Sequence, residues 1–299
     1  MLVPRCARHA QPHPPASQGR AGYATATLIQ KTAAILGDSA TPTAAASTVA
    51  IALTNFQARY SGGYVTSQAG LVLGLVFGLI PQASIATAVA SLVSSLNSKG
   101  PLVGFVGLRY LFDALANNGQ LALAYSIALR TANPSWGYGI ATDQMTAVGE
   151  VWDPRGNQNL SVASQDANSY NHPLRGCLVE WLMRDVAGID VDPVTPGWAN
   201  AILRPRPGGG LTWASGAHRS PRGLFESKWT IAGAKMAWHV VIPANATATL
   251  SLPPGYGTAK LAGQPVAALP GVSPMSADPI TGGTRYSIPS GTFDLTLTA

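Results

Sequence analysis

The chain has 299 residues, long enough for one large or two medium domains and for a sizeable core without help from disulfides. Its 46% hydrophobic content suits an ordinary globular protein, and its 11% charge, with abundant Ala, Gly, Thr and Ser, points to small-residue helix packing and many turns. The net charge of +6 comes from scattered Lys and Arg, with one loose group at Arg204, Arg206, Arg219 and Arg222 and no basic stripe among aromatics, so nucleic acid is excluded as a partner; Cys6 and Cys177 give neither a disulfide framework nor metal-ligand spacing, so no metal or other cofactor is expected.

In chain order, residues 1–22 carry Arg, His, Pro and Gln where a signal peptide would carry its apolar stretch, and they read as a disordered or artefactual tail. That leaves the compartment open, with secretion as a full-length protein one alternative. From Tyr23 to Gly188 the apolar spacing is helical. Thr25–Leu36 is expected to be a helix stopped by Gly37, and a second follows Pro42 up to the turn at Ser61–Gly63. Further helices are expected over Ala69–Leu79, Ser84–Ser98, Gly107–Asn117 and Leu121–Thr131, joined by short links into antiparallel hairpins. The apolar run from Ala69 to Pro81 falls short of the roughly 18 residues of a membrane span and reads as a buried helix, so no membrane partner is expected.

Past Pro193 the period changes to two. Met236, Trp238, Val240 and Ile242 alternate with Lys235, Ala237, His239 and Val241, the chain turns at "PAN", and Ala248, Leu250 and Leu252 continue the pattern. The segment "TRYSIPSGTFDLTLT" repeats this hairpin pattern, with Phe293, Leu295 and Leu297 on one face. A helical domain over 23–192 is thus followed by an all-β domain over 193–299, read as a sandwich, with the boundary near Asp190–Trp198. The fold class is α+β, in two domains.

The stretch "SWGYGIATDQMTAVGEVWD", Ser135–Asp153, stands out. Of 13 acidic residues only Asp38 and Asp113 lie before residue 142, and Glu occurs only at 150, 180 and 226, so Asp143, Glu150 and Asp153 form a local concentration. Trp136, Tyr138 and Trp152 add flat apolar faces beside these acceptors, a pairing suited to a sugar, whose C–H faces stack on rings while its hydroxyls bind carboxylates. Glycoside hydrolysis needs two carboxyl groups, and this stretch offers one. Plainer roles exist for the same residues: Glu150 as a solvated or capping acid, Trp136 as core filler, Asp143 as the N-cap of a helix, His172 as the cap of a helix starting near Pro173, and Glu180 with Arg184 as an i,i+4 pair.

The blocks "GFVGLRYLFDALANNGQLALAYSIALRTANPSWGYGI", "AVGEVWD", "NSYNHPLRGCLVEWLMRDVAGIDVD", "PGW", "SPRGLFESKW" and "VVIPANATATLSLP" resemble, in this order, the C-terminal half of the family 78 glycoside hydrolases, the α-L-rhamnosidases. The resemblance covers roughly Tyr23–Pro253. It implies part of an (α/α)6 six-hairpin barrel followed by a C-terminal β-sandwich, inverting hydrolysis of terminal α-L-rhamnose, and a rhamnose-containing glycoside or oligosaccharide as partner. By position, Glu150 matches the family's general base, His172 the histidine of the "NH" block lining the sugar pocket next to Asn171, and Trp136 the tryptophan of "PSWGY" beside Tyr138; Trp152 follows two residues after the glutamate. The sequence departs from the family in lacking an aromatic just before Glu150.

It departs further in that the family's general acid lies upstream of every block quoted, while residues 1–142 contain no Glu. A full barrel takes about a dozen helices, and the apolar period gives roughly eight. The expectation is therefore a fragment that lacks the acid, with apolar faces such as that of Ala69–Ile80 left without neighbours and the chain self-associating. Two alternatives stand beside it: a catalytically silent sugar-binding or structural remnant, and another (α/α)6 glycosidase of glucoamylase or trehalase type.

Overall fold

The computed structural model describes residues 16–38, 41–142, 144–152 and 169–298. Cys6, Asp143 and Asp153 lie outside this set, as does most of the stretch read as a tail. The chain divides into two compact units, Met1–Ser95 and Leu96–Ala299.

In the first unit, helices α1 (Ala16–Leu36) and α2 (Thr41–Ser61) pack against each other as a hairpin. Gly37 ends α1 at φ 70°, a conformation glycine reaches without Cβ strain, and the Thr41 N–H at the start of α2 donates to Asp38 Oδ1 at 3.2 Å. α1 begins at Ala16, inside the stretch read as a tail. Helix α3 (Gln68–Val76) starts at Ser67, whose hydroxyl accepts from Gly70 N–H at 3.1 Å, and it ends three residues short of the expected Leu79. The apolar run continues, but Gly78 turns left-handed at φ 63° and Leu79 N–H bonds back to the Gly74 carbonyl at 2.9 Å, closing the helix.

The expected bare face of this run is not found. Leu71, Val72, Leu73, Leu79 and Ile80 are all buried, and a Cβ at Gly74 would lie 2.8 Å from the Phe56 ring. The exposed apolar side chains of this unit sit elsewhere, with Leu28, Ile35 and Leu36 on α1 and Ile51 on α2. Helix α4 (Ile85–Lys99) carries the chain from the first unit into the second.

The second unit opens with the hairpin of α5 (Phe105–Ala116) and α6 (Leu121–Ala128), whose link turns through Gly119 at φ 76°. Leu108, Leu111, Phe112 and Leu115 recur at helical spacing and bury one face of α5. Then come the short α7 (Trp136–Ala141), a 3-10 turn at Pro173–Gly176, and α8 (Cys177–Trp181), which runs on as a π turn over Leu182–Val186. Trp181 binds these pieces together, with the Phe112 ring stacked at 4.8 Å and the Tyr125 ring edge-on at 5.0 Å.

The β part of the unit holds two sheets. One is β1 (Ile189–Val191), β2 (Asn200–Leu203), β6 (Thr247–Ser251), β10 (Arg285–Ile288) and β9 (Ser273–Met275) in spatial order. The other is β3 (Trp213–Ser220), β4 (Gly223–Ala232), β5 (Lys235–Ile242), β11 (Gly291–Thr298), β7 (Thr258–Leu261) and β8 (Gln264–Pro265). The alternation along β5 is as expected, with Met236, Trp238, Val240 and Ile242 buried. On β11, Leu295 and Leu297 are buried.

The two expected hairpins are a correction. β5 and β6 lie in different sheets, as do β10 and β11, so "PAN" and "PSG" are corners where the chain changes sheet. Pro243 and Pro289 stand at these corners, where a residue with no N–H ends the ladder. The two changes are coupled, because β5 pairs with β11 and β6 with β10, both antiparallel.

Buried polar bonds fasten the end of the helical segment to this β part. Trp229 Nε1 donates to the Val186 carbonyl at 2.7 Å and Ser227 Oγ to the Ala187 carbonyl at 2.6 Å. Arg206 pairs with Asp185 at 3.0 Å and donates to Asn117 Oδ1 and the Ala116 carbonyl, while the Tyr125 hydroxyl donates to the Arg206 carbonyl at 2.7 Å. A Cβ on Gly216 would meet the Ala187 methyl at 2.6 Å, so the strand passes close because that residue has no side chain.

Candidate functional site

The residues singled out around Glu150 come from three short segments of the second unit. Ser135, buried, accepts from the Tyr138 N–H at 2.9 Å and so caps α7, which sets the first-turn residue Trp136. The Trp136 Nε1 donates to the Arg175 carbonyl at 2.9 Å, across to the turn that follows His172. The Trp152 Nε1 donates to the Pro101 carbonyl at 2.9 Å. With both N–H groups satisfied, the two indoles meet edge to face, their centroids 4.8 Å apart at 85°.

Glu150 sits in an irregular, bent segment that is bonded to the segment carrying Asn171 and His172. The Glu150 N–H donates to the Ser169 carbonyl at 2.8 Å, and the His172 N–H donates to the Val148 carbonyl at 2.7 Å. The Glu150 carboxylate also accepts from the Ser169 N–H at 3.1 Å through Oε2. Residues 144–150 are not helical, so the reading of a helix beginning there falls; its cap, Asp143, lies outside the described residues.

His172 precedes the 3-10 turn at Pro173 but makes no side-chain cap bond. Its ring lies 5.2 Å from the Phe105 ring, and its Nδ1 is buried without a partner among the described residues. Asn171 is exposed, its N–H donating to Ser169 Oγ at 3.2 Å. Tyr138 is half-buried on α7.

A cavity of about 250 Å³ adjoins this assembly, lined by Trp136, Trp152, Gly149, Val151, Ser135 and Arg175 among others. The structure thus brings Trp136 and Trp152 together around one space, and puts Gly149 and Val151, on either side of Glu150, in its wall. The side chains of Glu150, His172, Asn171 and Tyr138 are not part of that lining.

Arg175 is the residue that sequence reasoning passed over. It is 7% exposed, its guanidinium carbon lies 3.8 Å above the centre of a Trp152 ring, and its Nε is buried without a partner. Burial pulls the guanidinium down to about 10, against the opposite pull of the nearby Cys177 and Glu150. The available signal was an Arg, in a chain with only 11% charge, placed directly after the "NH" block.

The other described carboxylates of this unit have partners of their own. Asp113, Glu180 and Asp190 surround Arg184, Asp185 pairs with Arg206, Asp278 with Arg204, Glu226 with Lys228, and Asp294 with His239, while Asp192 accepts from Thr195 and Asn200. The Glu180–Arg184 pair is the expected i,i+4 contact, at 3.4 Å. Among the described residues no group of His, Cys, Asp or Glu is arranged to hold a metal ion, and no helix is long and apolar enough to cross a membrane.

Comparison with known proteins gives a consistent result. Residues 21–186 match the family model of the bacterial alpha-L-rhamnosidase 6 hairpin glycosidase domain, and residues 188–264 that of the bacterial alpha-L-rhamnosidase C-terminal domain. An alpha-L-rhamnosidase of Streptomyces avermitilis is 31% identical over 192 residues, which are 62% of this chain and 18% of that protein. Among solved structures, an alpha-L-rhamnosidase from Dictyoglumus thermophilum superposes with a TM-score of 0.78 at 22% identity, over 93% of this chain and 31% of that one. The Streptomyces avermitilis alpha-L-rhamnosidase complexed with L-rhamnose gives 0.76 at 24% identity, over 94% of this chain and 26% of that one. At these identities the structural likeness is one of fold. The chain spans about a fifth of the length of the curated relative and under a third of the solved chains.

Proposed function

The chain belongs to the bacterial α-L-rhamnosidase six-hairpin glycosidases, and from that premise we propose that it contributes the general base and part of the sugar pocket of an enzyme that cleaves terminal α-L-rhamnose with inversion. Glu150 is the base. In inverting hydrolysis one carboxylate takes a proton from water as it attacks the anomeric carbon, while a second carboxyl group, roughly 6.5–9.5 Å away, protonates the departing oxygen. The observation that carries this reading is the backbone pairing of Val148–Glu150 with Ser169–His172, which sets the glutamate block beside the "NH" block. Trp136, Trp152 and Tyr138 then offer ring faces, and Asn171 and His172 offer polar atoms to the sugar hydroxyls. The orphan Nδ1 of His172 is consistent with a partner supplied by a ligand.

The acid is not proposed among the described residues, since the other described carboxylates of this unit are engaged with cations or hydrogen-bond donors of their own. The described residues are read as supplying half of the catalytic pair. A second reading, a silent sugar-binding or structural remnant, is favoured by one observation: Glu150 lies outside the lining of the adjoining cavity. Assay of the full chain on aryl α-L-rhamnosides against aryl α-glucosides tests the proposal. Cleavage of the rhamnoside alone, with loss in Glu150→Gln, supports it; saturable binding of rhamnose without cleavage of either supports the remnant.

A further inference from the structure

The two sheets of the β part end on four strands, and three of these are blunted. β1 and β9 have three residues each and β8 has two, with Pro274 in β9 and Pro265 in β8. Short edges and prolines are the usual means by which a folded chain keeps a sheet from adding further strands. β3 is different. It runs for eight residues, Trp213–Ser220, without a proline, and among the described residues it has only β4 beside it.

The register tells which backbone groups are left over. Trp213 pairs with Thr230, and one step earlier the Ile231 N–H donates to the Thr212 carbonyl at 2.7 Å. Bonding to a single neighbour alternates along an antiparallel strand, so Thr212, Ala214, Gly216 and His218 turn their N–H and C=O groups to β4, while Trp213, Ser215, Ala217 and Arg219 turn theirs to the open side. All four are exposed, Trp213 at 64%. Beside this edge lies a groove of about 530 Å³, lined by Val179, Leu182, Met183 and Val186 together with Leu211 and the start of β3. Val179 and Leu182 are themselves exposed.

We infer that the occupant of this edge is a second copy of the chain: β3 pairs antiparallel with the other β3 about a two-fold axis at Gly216, joining two six-stranded sheets into one. The strand is complementary to itself in that register. Ser215 falls opposite Ala217 and Trp213 opposite Arg219, each twice, and the left-over N–H and C=O groups of all four gain partners. Arg219 thus meets an indole rather than the other Arg219, the favourable kind of cross-strand pair. Gly216 meets its own copy at the axis as a non-hydrogen-bonded pair, the closer kind at roughly 4.5 Å between Cα atoms, and it brings no side chain to that approach. The axis stands perpendicular to the sheet, so both grooves lie on one side of the joined sheet, where Val179 and Leu182 of the two copies cover the seam.

Sedimentation velocity of the full chain over a concentration series tests the pairing, with hydrogen exchange as the local readout. The unaltered chain is expected to pass from monomer to dimer as concentration rises, and exchange at residues 213–219 to slow in step. Ala217→Pro removes an N–H on the open side without touching the ladder to β4, and Ser215→Lys puts a charge on the edge; each is expected to weaken the dimer at least about tenfold. If Ala217→Pro does not fold, Ser215→Lys, at an exposed position, decides alone. A chain that stays monomeric, an undiminished dimer in folded Ser215→Lys, or dimerisation without slowed exchange at 213–219 would overturn the inference. Association through the exposed apolar side chains of α1 would survive both substitutions and is told apart in this way. The readouts do not involve Glu150, so the inference stands or falls separately from the rhamnoside reading.

Discussion

Glu150 and Ser169 bond to each other twice: the Glu150 N–H donates to the Ser169 carbonyl at 2.8 Å, and the Ser169 N–H donates to Glu150 Oε2 at 3.1 Å. One backbone bond fixes the position of the residue, and the other holds its carboxylate. A general base needs this kind of placement, because its value depends on holding one oxygen where water will stand.

If this chain supplies the base and not the acid, its activity will depend on the leaving group. Hydrolysis of aryl α-L-rhamnosides by the full chain is expected to fall steeply as the phenol becomes less acidic, since no carboxyl group protonates the departing oxygen. A series from dinitrophenyl to methylphenyl rhamnoside measures it. A flat dependence would show that an acid operates within the chain.

Asp185 and Arg206 form a buried pair whose side chains are 4% and 5% exposed, and Arg206 also ties to Asn117 and Ala116. Asp185→Ala leaves a buried cation without its counter-charge and is expected to cost about 3–5 kcal/mol. Chemical denaturation followed by fluorescence of the unit's tryptophans reads this loss.

Ser227 is fully buried and serves two partners, donating to the Ala187 carbonyl at 2.6 Å and accepting from Trp238 Nε1 at 2.9 Å. Ser227→Ala orphans both groups at almost no change in volume. The expected loss is about 1–3 kcal/mol by the same denaturation measurement.

The pattern of the sequence made some of these features legible and hid others. Helices α1, α2, α5 and α6 announce themselves by apolar residues at helical spacing and by Gly37 or Gly119 at their ends, because burial of one face and the left-handed freedom of glycine act locally. The same reasoning overran α3 by following apolarity past Gly78. Along β5 and β11 the alternation told which side chains point inward, but both sheets present such a face. Alternation therefore could not say that Ile242 and Ala248 belong to different sheets.

In the candidate site, the aromatic and acidic concentration at 135–153 drew attention to Trp136, Glu150 and Trp152, while Arg175 escaped it. What marks Arg175 is the burial of its guanidinium against Trp152, with Nε unpartnered among the described residues. That is a property of packing, with no counterpart in spacing.

Asp278 gives the β part an acid-sensitive lock. Burial pushes its carboxyl up, but the N–H groups of Thr281 and Ile280, the Arg204 guanidinium and the Ser251 hydroxyl together outweigh burial and leave it below the usual carboxylate range. A folded-state value below the unfolded one, which lies near about 3.9, contributes stability at higher pH and loses it as pH falls through the folded value. Resistance to thermal unfolding is therefore expected to weaken progressively below about pH 4, and Asp278→Asn to lower stability at pH 7 while flattening that acid limb. An equal loss at pH 7 and pH 2 in the variant would contradict the linkage.

The role of Glu150 is tested most directly with α-L-rhamnosyl fluoride, whose fluoride leaves without an acid, so that a chain with only the base can act on it. Proton NMR of the first-formed sugar reads rate and stereochemistry together. The account predicts that the full chain releases the β-anomer first and that Glu150→Gln slows this by about 10²–10⁴-fold while leaving the chain folded. First release of the α-anomer, or an unchanged rate in Glu150→Gln, would contradict it.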